Sequence, residues 1–82
     1  MILVDIYVPS VDKTYDFQLD EDAYIYAIIE EIGELIGQKE HSQIVGDIEN
    51  LMLCTVKDKK ILSKNATLSG CGIRTGNSLI LV

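Results

Sequence analysis

Tryptophan is absent from this chain, and proline, histidine and phenylalanine occur once each. A single histidine, His41, leaves little for imidazole-based acid–base catalysis or for a metal centre. The two cysteines, Cys54 and Cys71, stand 17 positions apart with no C-x-x-C spacing. That excludes the usual four-ligand zinc site and a disulfide framework, and both are expected as reduced thiols. No run approaches the roughly 20 apolar residues of a membrane span. The apolar start, MILVDIYV, lacks a basic flank and a small-residue cleavage site and is interrupted by Asp5, so it is not read as a secretory signal. A cytoplasmic location without direct membrane insertion is expected. Repeats and low-complexity segments are missing too, which excludes fibrous and disordered classes.

What is present is 82 residues at 48% hydrophobic, enough for one core and one domain spanning residues 1–82. Cations are scarce: 7 against 13 acids, a net charge of −6. Ten of those acids fall in residues 16–49, opposed there by Lys39 alone, whereas residues 50–82 hold Lys57, Lys59, Lys60, Lys64 and Arg74 against Asp58. Nucleic acid is repelled by such a molecule as a whole. No aromatic residue interleaves the lysines to stack on bases.

Periodicity then sets the elements. Ile2, Val4, Ile6 and Val8 alternate with Leu3, Asp5 and Tyr7, the period-two pattern of a half-buried strand. PSVDK supplies turn residues, and Tyr15, Phe17 and Leu19 alternate with acids and Gln18, so residues 1–20 read as a β-hairpin. Ile25, Ile28, Ile29, Ile32, Leu35 and Ile36 fall at helical spacing and put one apolar stripe on a helix that covers the hairpin. Asp22 is the expected N-cap and Gly37 the expected stop. A polar connection over residues 38–50 holds His41, read as a loop residue. Residues 51–56, LMLCTV, form a strand, KDKK turns the chain, a short strand follows at Ile61 and Leu62, and residues 79–82 form the last strand. The order is β-β-α-β-β-β, an α+β β-grasp with a mixed sheet packed on one helix.

Residues as well as element order carry a resemblance. TLSGCGIRTGNSLILV, residues 67–82, resembles the end of ubiquitin-like domains, where a T-L-S turn leads to a buried Ile, a polar turn and an L-x-L final strand. The anchors here are Leu68, Ile73, Leu79 and Leu81. Together with VKDKKILS and YDFQLD, this stretch is similar to the small YukD/EsaB-type ubiquitin-like proteins encoded with Gram-positive type VII (WXG100) secretion systems. The resemblance implies a non-conjugated, cytoplasmic protein that acts by binding protein partners, secretion-system components among them. Covalent modifiers and sulfur carriers of this fold use a flexible Gly-Gly tail. The sequence stops at Leu81 and Val82, both expected in the sheet, so a covalent-carrier role is an alternative that needs glycines absent here. A homodimerising scaffold is the third reading.

No Ser-His-acid spacing and no phosphate-binding glycine loop opening a helix recommend catalysis, so neither enzyme activity nor a cofactor is expected. What remains is a surface. If Leu79 and Leu81 face the helix, Ile80 and Val82 face outward, with Val56 beside them on the neighbouring strand. The resemblance maps a partner-binding patch onto Val56, Ile80 and Val82, with Tyr7 and Cys54 at its margin. Clustered aliphatic residues on an open sheet face commonly meet a partner. Turn geometry leaves the side chain of Ile61 unplaced.

Overall fold

The computed structural model describes residues 1–40 and 50–82; the loop reading of His41 lies outside the described residues. The alternating N-terminal run pairs with itself: β1 (Ile2–Val8) and β2 (Lys13–Leu19) are antiparallel, in register from Ile2 opposite Leu19 to Val8 opposite Lys13. Residues 9–12 reverse the chain. The Val11 and Asp12 amides donate to the carbonyls of Val8 and Pro9 at 3.2 Å each. Asp12 takes a left-handed conformation, φ 52°, which Asp tolerates better than most residues.

α1 (Ile25–Glu40) carries the apolar stripe across the sheet. Ile25, Ile28, Ile29, Ile32 and Ile36 are all buried, while Leu35, at the edge of the stripe, is exposed. Two expectations for this helix need correction. Asp22 is not its N-cap: its amide donates to Asp20 Oδ1 at 2.9 Å, its own carboxylate accepts from Ser69 Oγ at 3.3 Å, and no acid lies in the first helical turn. Backbone carbonyls from a distant loop do the capping. The Ile25 amide donates to the Ala66 carbonyl at 2.9 Å and the Tyr26 amide to that of Lys64 at 3.1 Å, satisfying donors a helix start leaves without partners. Gly37 does not stop the helix either. It is not among the left-handed glycines, which among the described residues are Gly72 and Gly76, and the helix continues through it to Glu40.

β3 (Leu53–Thr55) and β4 (Ser78–Leu81) complete a four-stranded sheet of order β2-β1-β4-β3. The sheet is mixed, because β1 and β4 run parallel at its centre while β3 is antiparallel to β4. The short strand expected at Ile61 and Leu62 is reduced to one bridge, Ile61 opposite Cys54. It is held by hydrogen bonds from Leu62 N to the Leu53 carbonyl (2.8 Å) and from Thr55 N to the Lys60 carbonyl (2.9 Å). Pairing ends there because the chain must leave the sheet to bring the carbonyls of Lys64 and Ala66 to the helix start. This is the ubiquitin-like β-grasp fold.

The core lies between the helix and the inner face of the sheet, and no polar or charged side chain is buried among the described residues. Leu68 and Ile73 plug its end from the loop at residues 67–77, and Ile73 N donates to the Leu68 carbonyl at 2.9 Å. All four anchor positions of the resemblance, Leu68, Ile73, Leu79 and Leu81, belong to this core.

Candidate protein-binding face

Alternation leaves the other face of the sheet to solvent, and the strand register says which side chains share it. Tyr7 pairs with Ile80, Ile80 with Cys54, and Cys54 with Ile61. Partners across a β-ladder point to the same side, so these four form one row across β1, β4, β3 and the bridge beyond it. Tyr7, Ile80 and Cys54 are half-buried, and Ile61 is 63% exposed. Val82 lies just past the end of β4. Its backbone exchanges hydrogen bonds with Met52 at 2.6 and 2.9 Å, and the two side chains are 46% and 36% exposed. On the opposite flank the Val56 amide donates to the Ser78 carbonyl at 3.3 Å, with the side chain 44% exposed.

The five residues expected on this face are therefore brought together on it. Met52 was missed, and Ile61, left unplaced from the sequence, joins them. Met52 was legible, since it precedes Cys54 and Val56 at the same two-residue spacing. Ile61 was not, because its side is decided by a turn in which Lys59 takes φ 53° and Lys60 N donates to Thr55 Oγ1 at 3.1 Å.

Polar groups frame the patch. Toward the hairpin, Asp5 and Asp16 are direct cross-strand partners, and both carboxylate oxygens of Asp5 accept from Ser78 Oγ at 2.9 Å. Tyr7 closes the row with its hydroxyl donating to Asp12 Oδ1 at 2.7 Å. That hydrogen bond, with some desolvation and the charge of Asp12, holds the Tyr7 phenol above its ordinary value of 10.0. At the other end the turn after β3 carries Lys57, Lys59 and Lys60, all exposed. The row is thus apolar along its length, with charged groups at its two ends.

The acids before the helix form a carboxylate cluster. Asp20, Glu21 and Asp22 bring carboxylate oxygens within 4.8 Å of one another. Each is already engaged: Asp20 by the Asp22 amide, Asp22 by Ser69, and Glu21 by the terminal ammonium at 3.2 Å. None of the three is buried. Nothing about the cluster calls for a cation.

No protein-family model and no curated protein matches the sequence. Solved structures do match in fold. The EccD5 ubiquitin-like domain from Mycobacterium xenopi aligns at a TM-score of 0.79 with 23% identity, covering 99% of this chain and 91% of that one. The UBL domain of Plasmodium falciparum Dsk2 aligns at 0.71 with 21% identity, over 99% of this chain and 95% of that one. ATBAG1, solved in complex with HSP70, aligns at 0.76 with 15% identity, over all of this chain (100%) and 40% of that one. Among the described residues no helix is long and apolar enough to cross a membrane.

Proposed function

We propose that this chain is a ubiquitin-like protein that works in the cytoplasm by binding protein partners, as a regulatory or assembly component of a type VII secretion system. The observation that carries the binding role is the cross-strand row Tyr7, Ile80, Cys54 and Ile61, flanked by Val56 and by Val82 with Met52. Aliphatic side chains at adjacent positions of a solvated face are an interaction surface by composition and by contiguity. The similarity in fold to EccD5 is consistent with a bacterial setting, and the complex of ATBAG1 with HSP70 offers a precedent for a protein containing this fold that engages another protein. The secretion-system part rests on the sequence resemblance of residues 67–82 and the segments upstream.

The test replaces an apolar contact by a charge. Ile80→Asp and Val56→Asp place a carboxylate where the solvated face hydrates it in the free protein but an interface buries it unpaired. Both variants are expected to fold. In the native host, each is expected to fail to restore WXG100 substrate secretion when it replaces the wild-type gene, and to bind purified secretion-system components at least about tenfold more weakly. Full secretion and wild-type binding by both variants would remove this face from consideration. Sedimentation over a range of concentrations tells a face that pairs with a second copy from one that binds a different protein.

A further inference from the structure

Beside the open face, the turn at residues 55–58 and the loop at residues 71–78 enclose a groove of about 470 Å³, within the usual range of ligand-sized pockets. Its charge runs against that of the molecule. In a chain of net charge −6, Lys57 and Arg74 both line the groove, and Asp58 is the one acid that does. Neither cation has a side-chain hydrogen bond or an ion-pair partner among the described residues. The Arg74 amide donates to Asn77 Oδ1 at 2.8 Å, which shapes the loop and leaves the guanidinium unengaged. Gly72 and Gly76 keep the walls low, with no atom within 4 Å of where a Cβ would stand. Val56 belongs to the groove and to the open face alike, so the two surfaces are continuous.

We propose that this groove receives an acidic and aliphatic segment of the protein partner, with a carboxylate side chain between Lys57 and Arg74 and an aliphatic side chain against Val56. The proposal rests on the reading of the open face as a partner surface and adds the chemistry of the partner. A guanidinium presents a planar fork of donors that matches a carboxylate, and the ammonium adds a second charge-assisted bond. The acids of the hairpin and helix, Asp16, Asp20, Asp22, Glu30, Glu31 and Glu34 among them, repel such a segment, so charge favours the groove's end of the molecule.

The experiment titrates the isotope-labelled full chain with a blocked peptide, Leu-Asp-Leu-Glu-Leu, and with its Asn/Gln counterpart, following backbone amides. The acidic peptide is expected to shift the amides of Lys57, Gly72, Arg74 and Gly76 and to bind about tenfold more tightly than the amide counterpart, equivalent to roughly 1.4 kcal/mol. A Lys57→Ala, Arg74→Ala double variant is expected to lose that preference while its spectrum stays native elsewhere, because both side chains are exposed. Equal binding of the two peptides, shifts centred elsewhere, or no shift at millimolar peptide would overturn the proposal. So would inorganic phosphate reproducing the same shifts at the same concentrations, which would make the groove a small-anion site. The two readings fail separately: loss of secretion in Ile80→Asp with no peptide preference sinks the groove alone, and peptide preference with normal secretion in Ile80→Asp sinks the open face alone.

Discussion

Neighbouring residues of β4 live in different surroundings. Leu79 and Leu81 are 1% and 2% exposed beneath the helix, whereas Ile80 is half-buried on the opposite face and Val82 is 46% exposed. All four are aliphatic, so hydrophobicity does not sort them; the two-residue period does, together with the fact that one helix covers one face. The same division runs along β3, where Leu53 is buried and Cys54, its neighbour, is not. A small domain with one helix and a four-stranded sheet has a single covered face. Apolar residues on the other face are either incidental or, as proposed above, held for a partner.

The sharpest way to break this comparison is to apply a similar insult to each face. Leu79→Ala is expected to destabilise by about 2–5 kcal/mol, the cost of deleting a buried leucine and leaving a cavity. That is a large share of the roughly 5–15 kcal/mol that holds a typical domain together. Ile80→Asp, one residue away, is expected to cost less, roughly 1–2 kcal/mol, since the half-buried side chain on the open face lets its carboxylate reach water. Chemical denaturation of both variants measures the two costs directly. If Ile80→Asp unfolds the protein while Leu79→Ala is silent, the faces are exchanged and the register is wrong by one residue.

A middle-sized effect is expected from the loop that closes the covered face. Thr67 Oγ1 accepts from the Gly70 amide at 3.0 Å in the turn between Leu68 and Ile73, and Thr67 is bridged to Tyr24 just before the helix. Thr67→Ala is expected to cost about 1 kcal/mol, the usual net worth of one hydrogen bond. Ser69→Ala, which removes only a 3.3 Å contact of an exposed hydroxyl with Asp22 and another with Thr67, is expected to cost less. Thermal melts of the two rank them, and a Thr67→Ala melt equal to that of the wild type would show that the Thr67 bond contributes nothing.

How far each feature was legible depends on how local its cause is. Strand alternation and the helical stripe follow from neighbours a few positions apart, so the inner-face isoleucines and the outward Ile80, Val82 and Val56 could be read directly. The start of the helix could not, because its first amides are satisfied by carbonyls of residues 64 and 66, far along the chain. Asp22 looked like a cap because a short acid before an apolar stripe commonly is one; here Tyr24 is drawn into a bridge with Thr67 first. Ile61 stayed ambiguous because the left-handed Lys59 decides its side. The groove was half-legible: the sequence shows a basic second half, but only the fold brings Lys57 and Arg74 to one groove.

The smallest effect concerns the rim of the open face, where Tyr7 meets Asp12. By accepting a hydrogen bond from the phenol, Asp12 stabilises its neutral form, and its negative charge opposes tyrosinate, so the folded-state pKa is raised above 10.0. A group whose pKa is raised on folding contributes stability that is fully present below its unfolded pKa and is lost as pH climbs through the folded value. The contribution should therefore be intact at neutral pH and fade above about pH 10, the ordinary tyrosine value. Asp12→Asn keeps a residue that tolerates the left-handed turn but removes the charge, so the Tyr7 midpoint is expected to fall toward 10.0 with little change in melting temperature at neutral pH. The difference between tyrosinate absorbance titrations of the wild type and of Tyr7→Phe isolates this one ring, and the same subtraction in the Asp12→Asn background gives the shifted curve. Identical midpoints in the two backgrounds would mean that the carboxylate does not govern the ring, leaving Tyr7 with no reason to be held at the margin of the patch beside Ile80.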